Sequence, residues 1–165
     1  MADLNVRSLV DIAFCVLVLG QLARIGWIDM RTRKISNVSV VALAITWLLW
    51  RVVGWVVTGE DLEALWMPLA GDLVDMIIVG GAALLFTLVF ERLTGKYGMG
   101  GGDIKLIAVM GLYLGITESV GAVLVACIGF AVYAAVQQKG SSVTLPFGPW
   151  LSLGWAVMLL LSLLA

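Results

Sequence analysis

The stretch Gly98-Met99-Gly100-Gly101-Gly102-Asp103-Ile104-Lys105-Leu106 places an aspartate within a run of glycines, between two apolar segments. This pattern indicates a short connection between two membrane-spanning helices, with the aspartate at the edge of the second one. Because ionisable groups are costly inside a bilayer, an acid at the edge of a span is a candidate functional residue. A second aspartate, Asp29, occupies a comparable place at the end of the first apolar segment.

The composition of the whole chain is typical of a membrane protein. Of its 165 residues, 62% are hydrophobic and only 13% are charged, and the mean hydropathy of +1.08 is far above that of an ordinary soluble domain. We therefore expect an all-α polytopic membrane protein in which residues 1–165 form a single domain in contact with the lipid bilayer. The net charge is −1 and no basic face exists, so nucleic acid is not an expected partner.

Six apolar segments approach the length of about 20 residues that a helix needs to cross the hydrocarbon core. Charged or glycine-rich breaks separate them, including a tight turn predicted at Gly115 to Glu118. The fourth segment is short for a full span. The predicted spans are approximately 8–28, 37–57, 71–90, 104–117, 119–137 and 147–164.

Charges in the loops predict the orientation. Lysine and arginine mark cytoplasmic loops, and they follow the first, third and fifth spans. These basic residues are Arg31, Arg33, Lys34, Arg92, Lys96 and Lys139. The alternate loops are acidic, and only Arg7 and Arg51 go against the pattern. The N-terminus is therefore expected outside, with Asp29 and Asp103 at a similar depth on the cytoplasmic side, where they can meet if spans one and four pack together.

The residue types that are missing narrow the chemistry. The chain contains no histidine, which excludes a serine–histidine pair and a zinc site of the H-E-x-x-H type. Cys15 and Cys127 lie in separate apolar spans without a C-x-x-C pair, so both are expected to be small buried apolar residues. We expect no metal site and no cofactor.

A pair of neighbouring carboxylates can hydrolyse a peptide bond without a metal. Two such groups cannot both ionise comfortably, so they share one proton. The ionised member then removes a proton from water, while the protonated member donates to the carbonyl oxygen. Among membrane-embedded hydrolases, a dyad of Asp29 and Asp103 is the option that remains.

Other interpretations of these acids stay open. Asp103 could be the N-cap of the fourth span, and Asp29 could form an interfacial ion pair with Arg31 and Arg33. A non-enzymatic helical membrane protein, such as a proton- or cation-coupled transporter or an assembly subunit, could use the pair as a relay. A relay usually lines a path across the bilayer, whereas both acids are expected on one side, which favours hydrolysis.

Three segments of the chain resemble one protein family. The glycine-rich stretch around Asp103 resembles the G-x-G-D motif of the type IV prepilin peptidases. The first aspartate motif of that family is similar to Asp29-Met30-Arg31-Thr32-Arg33-Lys34-Ile35-Ser36-Asn37. The Pro-Phe-Gly-Pro segment before a late helix is similar to Pro146-Phe147-Gly148-Pro149-Trp150. The three matches stand in the order of the family and cover most of the chain.

The resemblance implies a multi-pass aspartyl endopeptidase of the bacterial inner (cytoplasmic) membrane. Such an enzyme removes the leader peptide from type IV prepilin or pseudopilin precursors at the cytoplasmic face. By position, Asp29 and Asp103 would be the catalytic pair, without a cofactor. The residues that the resemblance places around the substrate are Gly100, Gly102, Lys105, Pro146 and Gly148. The oligomeric state is left open.

The chain departs from the family pattern in two respects. Ser36 stands where proline is common, which is expected to loosen the turn after Asp29. Longer members carry a cytoplasmic domain with paired C-x-x-C motifs, which is linked to methylation of the new N-terminus, and the 165 residues contain no such motif. The sequence therefore predicts a short, peptidase-only form.

Overall fold

The computed structural model describes residues 2–137 and 146–164, with side chains described for 6–136 and 146–162. Within these ranges every regular element is an α-helix, as predicted. The predicted loop around Lys139 lies outside the described residues. The helices are α1 (Ala2–Thr32), α2 (Asn37–Thr58), α3 (Leu62–Thr94), α4 (Gly101–Gln137) and α5 (Gly148–Leu164).

The lengths and surfaces of these helices suit a bilayer. In the described part of the chain, α1 to α4 are each long and apolar enough to cross a membrane, and α5 is a shorter apolar helix. Large apolar side chains such as Leu9, Leu85 and Ile128 are more than half exposed on the outer surface. Such surfaces are expected where lipid, not water, surrounds helices whose backbone groups are satisfied internally. The chain is therefore a multi-pass membrane protein.

A short connection joins α1 to α2, and its last residue, Ser36, is the N-cap of α2. The Ser36 side-chain oxygen accepts a hydrogen bond from the backbone N–H of Val38 at 3.2 Å, and its backbone is extended, as in a helix N-cap. A serine in this position stabilises the start of a helix. The hydroxyl of Ser36 therefore caps the first turn of α2.

The long helix α4 consists of two limbs, 101–114 and 116–137, that meet at Gly115. The backbone of Gly115 leaves the helical region, with φ 71° and ψ −174°. Asp103 on the first limb and Phe130 on the second line the same cleft, whereas a straight helix would separate them by roughly 40 Å. The chain thus reverses at Gly115. The turn predicted there is confirmed, and the two limbs correspond to the fourth and fifth predicted spans.

Small residues let the neighbours of α4 approach it closely. A Cβ atom on Gly80 of α3 would lie 2.6 Å from the Cβ of Ala108, so there is no room for a side chain. Gly154 of α5 likewise meets the backbone of Ala122. Close approach of this kind is a common way to pack helices where lipid supplies no hydrophobic driving force. It fixes α4 between α3 and α5.

The two acid-bearing helices are not direct neighbours. Helix α1 packs against α2 and α5, α4 packs against α2, α3 and α5, and α1 makes no close backbone contact with α4 in residues 2–137 and 146–164. The expected packing of spans one and four is therefore not what brings the acids together. Instead α2 and α5 hold both helices, around a core whose large fully buried side chains include Leu22, Leu43, Leu106, Met110, Leu151 and Trp155.

Candidate active site

A cleft of about 650 Å³ lies where α1 ends and the first limb of α4 begins. Both sequence-predicted acids, Asp29 and Asp103, line it. Its walls also carry aromatic side chains from α3, from the second limb of α4 and from the segment before α5. These are Phe86, Phe90, Phe130 and Phe147. The cleft therefore combines two carboxylates with a largely apolar wall.

Asp29 is buried near the end of α1, with only 5% of its surface exposed. Its carboxylate accepts a hydrogen bond of 3.1 Å from the backbone N–H of Gly148, the first residue of α5. A Cβ atom at position 148 would lie 2.6 Å from the Asp29 Oδ2 atom. Only glycine therefore leaves room for this contact, which fixes the carboxylate against the start of α5.

Asp103 is half-buried in the first turn of α4. The helix begins earlier than the sequence predicts, because the carbonyl of Gly100 accepts from the N–H groups of Asp103 and Ile104 at 3.0 and 3.2 Å. Gly100 is thus the cap residue, and the N-cap interpretation of Asp103 is wrong. The Asp103 carboxylate instead reaches back towards the backbone N–H of Gly100, as an acid at the third helical position commonly does.

The two carboxylates are close enough to interact electrostatically. They approach from different sides of the cleft, one held by the start of α5 and the other by the start of α4. Two neighbouring carboxylates of this kind form the arrangement that a shared proton requires. The geometry thus brings together the two acids that the sequence singled out.

The sequence of this region identifies the family. The profile described as the type IV leader peptidase family matches residues 15–135, a range that contains both cleft acids. The chain belongs to this family. The membership predicted from the two aspartate motifs is thereby confirmed.

Individual members of the leader peptidase family show the extent of the similarity. The prepilin leader peptidase/N-methyltransferase of Stutzerimonas stutzeri is 33% identical over 153 residues, covering 89% of this chain and 49% of that protein. The protein of the same name from Xanthomonas campestris pv. campestris is 30% identical over 112 residues, covering 58% and 39%. The Pseudomonas putida protein is 36% identical over 101 residues, covering 57% and 34%. The chain thus spans half or less of the length of these relatives. No solved structure is significantly similar to it.

Two residues of the glycine-rich family motif do not line the cleft. A Cβ atom on Gly102 would lie 2.9 Å from the Cβ of Ile35, in the connection between α1 and α2. The Lys105 ammonium donates to the Asn37 side-chain oxygen at 2.9 Å. Both contacts join the start of α4 to the segment that follows Asp29. Gly100, in contrast, lines the cleft itself.

The segment that resembles the Pro-Phe-Gly-Pro motif of the family contacts both the cleft and Asp29. Pro146 and Phe147 line the cleft, and the Phe147 ring packs edge-on against Phe130 at 5.4 Å between centroids. The backbone N–H of Gly148 donates to the Asp29 carboxylate. The three consecutive residues therefore connect the aromatic wall to one of the two acids.

The remaining intramembrane acids lie elsewhere. The Asp72 carboxylate forms a bidentate ion pair with Arg51, at 2.6 and 2.7 Å, and also accepts from the Trp47 indole. Asp72 therefore lies within α3 and is bound to Arg51 of α2. Asp11 accepts from the Trp50 indole at 2.8 Å. Neither of these acids lines the cleft.

The sequence did not predict that Arg33 and Cys127 would line the cleft. Arg33, interpreted from sequence as a determinant of topology, lines the cleft beside Asp29. Cys127 was expected to be buried, but it is exposed and lines the cleft, whereas Cys15 is buried as predicted. The apolar pattern of the second limb of α4 could not distinguish a wall of the cleft from a face towards lipid, because both are apolar.

Proposed function

We propose that this chain is a membrane-embedded aspartyl endopeptidase that removes the leader from type IV prepilin or pseudopilin precursors. The observation that carries the proposal is that Asp29 and Asp103 line one cleft and interact there. Membership in the leader peptidase family and the names of its prepilin leader peptidase relatives supply the class of substrate. The proposal covers the peptidase activity alone and assigns the 165 residues to one catalytic domain.

The reaction needs only the two carboxyl groups and a water molecule. The ionised carboxylate takes a proton from water as the water oxygen attacks the scissile carbonyl carbon, and the protonated carboxyl donates to the carbonyl oxygen. In the resulting tetrahedral intermediate the C–N bond breaks. The leaving amine receives the proton that the first carboxylate took from water, and the second carboxylate takes a proton from a hydroxyl group of the intermediate as the new carboxylic acid forms. Asp29 and Asp103 titrate as a unit, so the roles belong to the pair.

The membrane arrangement that we propose has six spans, with the N-terminus outside. The reversal at Gly115 supports this count, since the two limbs of α4 then run as separate helices. The basic residues in the last turns of α1 and α3, Arg31 and Arg92, belong to the same end of the bundle as the cleft. By the positive-inside rule this end faces the cytoplasm of the inner membrane. The leader of a precursor would therefore lie on the side of the two acids.

The walls of the cleft suit the apolar segment of such a precursor. Phe86 and Phe90 of α3 are exposed, as is Cys127 on the second limb of α4, and all three line the cleft together with the two acids. An apolar helix that approaches through the bilayer would meet this wall while its cytoplasmic end reaches the carboxylates. The scissile bond would thus lie at the depth of Asp29 and Asp103.

The decisive experiment is co-expression with a pilin precursor in a host that lacks such a peptidase, with leader loss scored by mass spectrometry. The variants are Asp29→Asn and Asp103→Asn, and the matched control is Asp75→Asn, an intramembrane acid beside Gly115 and away from the cleft. We expect cleavage by the wild type and the control, and none by the two cleft variants. Cleavage that persists in either cleft variant would remove that residue from the dyad.

A proton or cation relay is the alternative that glutamate variants separate from hydrolysis. A relay often tolerates a longer acid, whereas a dyad loses its alignment when a carboxylate moves by the length of a methylene group. We therefore expect Asp29→Glu and Asp103→Glu to abolish cleavage. Full cleavage by both glutamate variants would contradict the proposed geometry.

A further inference from the structure

Three helices of this chain end in the same left-handed cap, and one of them uses an unusual residue. Helices α2 and α3 end at Gly59 and Gly95, with φ 62° and 65°. The N–H of each donates to the carbonyl four residues earlier, at 3.1 and 2.9 Å. At the end of α1 the same position is occupied by Arg33, with φ 54° and an N–H donated to the Asp29 carbonyl at 2.8 Å. The cap is the same, but the glycine is replaced by arginine.

An arginine is disfavoured in this conformation. Glycine is the usual residue in left-handed helix caps because it has no Cβ to clash with the neighbouring carbonyl. Arg33 is the one non-glycine residue with positive φ in the described part of the chain. A glycine at this position would make the same backbone hydrogen bond with less strain. The cap therefore does not explain why the residue is an arginine, and we look for the role of its side chain outside the cap.

The position of that side chain indicates its contribution. Arg33 lines the cleft together with Asp29 and Asp103, and it is the one cationic residue among the described residues that do so. Its basic neighbours Arg31 and Lys34 do not line the cleft. Of the three basic residues after Asp29, the left-handed cap places one beside the acids.

We propose that the guanidinium of Arg33 binds backbone carbonyl oxygens of the precursor next to the scissile bond. A peptide bond can be attacked only when its segment leaves the helical conformation, and the carbonyl groups released in this way need donors at the edge of a bilayer. A guanidinium carries five N–H donors and no acceptor, which suits carbonyl oxygens. This inference rests on the proposed peptidase function, and it makes Arg33 a substrate-binding residue distinct from the dyad.

The test compares Arg33→Gly with a charge-matched change in the same connection. Arg33→Gly keeps the cap geometry, so we expect unchanged or higher thermal stability together with a loss of kcat/KM of about tenfold or more, carried mainly by KM. Arg33→Gln should lose as much activity, and Arg31→Gln, which removes the same charge, should cleave like the wild type. Equal losses for Arg31→Gln and Arg33→Gln would overturn the inference in favour of a topology effect.

A binding measurement keeps the inference separate from the proposed hydrolysis. In an Asp103→Asn background, which is expected not to cleave, the affinity for a labelled precursor peptide in lipid nanodiscs is measured with and without Arg33→Gly. We expect a weakening of about tenfold. Unchanged affinity would overturn the role of Arg33 even if the wild type cleaves. Weakened affinity with a wild type that does not cleave would leave Arg33 as a peptide-binding residue and refute the peptidase proposal.

Discussion

The backbone N–H of Gly148 donates to the buried carboxylate of Asp29 across 119 positions of sequence. This contact joins the first residue of α5 to the end of α1, and a Cβ atom at position 148 would lie 2.6 Å from the Asp29 Oδ2 atom. Glycine is therefore required at position 148 because a larger residue would collide with the Asp29 carboxylate, and not because of its backbone conformation. The Pro-Phe-Gly-Pro segment thus contacts one of the two candidate catalytic acids directly.

Replacement of Gly148 by alanine should disable the site while leaving the helices intact. The added methyl group displaces the Asp29 carboxylate, and a shift of about 1 Å in a catalytic group costs on the order of a hundredfold in rate. We expect Gly148→Ala to lower precursor cleavage by about that factor. The control is Gly20→Ala in α1, where no atom lies within 4 Å of the new methyl group. Equal cleavage by the two variants would show that the contact between Gly148 and Asp29 is not required.

The glycines before Asp103 should differ in their tolerance of alanine. A methyl group on Gly102 would meet Ile35 at 2.9 Å, whereas one on the adjacent Gly101 has no atom within 4 Å. Gly102→Ala would push α4 away from the connection after Asp29, so we expect cleavage to fall by roughly tenfold or more. Gly101→Ala should cleave like the wild type. The comparison uses initial rates at matched levels of membrane-inserted protein, and the reverse order of the two variants would refute this account of the motif.

The two cysteines offer a direct probe of the cleft. Cys127 is exposed on the cleft wall, while Cys15 is buried in the core. A membrane-permeant maleimide should therefore modify Cys127 and spare Cys15, as peptide mass mapping can show. The bulky adduct should block cleavage, and precursor peptide added first should slow the labelling.

Cys127→Ser is the matched control for this probe. A serine differs from cysteine by a single atom, so the variant should cleave precursor normally and keep its activity after maleimide treatment. Inactivation of Cys127→Ser by the reagent would place the sensitive group elsewhere. Labelling that precursor peptide leaves unaffected would mean that the substrate does not occupy this wall.

The sequence predicted the all-α class and the meeting of Asp29 and Asp103 in one place, because the cost of burying charge leaves few interpretations of an aspartate at the edge of a span. It also predicted the turn at Gly115. It did not predict that α1 and α4 do not pack directly against each other, since an apolar pattern does not show which helices become neighbours. The cap at Arg33 was missed for a related reason. Arginine is rare in a left-handed cap, so the chain carries no local signal for that conformation.

The helix boundaries and the ion pair of Asp72 with Arg51 also could not be predicted from the sequence. Polar residues next to an apolar run can continue a helix beyond the membrane, as in α3, which extends from Leu62 to Thr94 around a predicted span of 71–90. Asp72 stands at the beginning of that predicted span. Its ion pair with Arg51 depends on the packing of α2 against α3, which only the folded structure provides.

The reversal at Gly115 leads to a prediction about stability. Its φ of 71° and ψ of −174° fall in a region that is essentially restricted to glycine. Gly115→Ala should therefore lower the free energy of unfolding by about 1–3 kcal/mol, measured by thermal or denaturant unfolding in detergent. Cleavage should fall as well, because the two limbs that Gly115 joins carry Asp103 and the opposite cleft wall at Cys127 and Phe130.

Gly81→Ala is the control for the reversal. Gly81 lies within α3 with no atom within 4 Å of a new methyl group, so alanine there should leave stability unchanged or raise it by up to about 1 kcal/mol. The contrast between the two variants isolates backbone conformation from the general effect of replacing glycine in a membrane helix. If Gly115→Ala unfolds at the same temperature as Gly81→Ala, then α4 does not depend on a glycine to turn back on itself. The two-limb arrangement that supports six spans would then lose its physical basis.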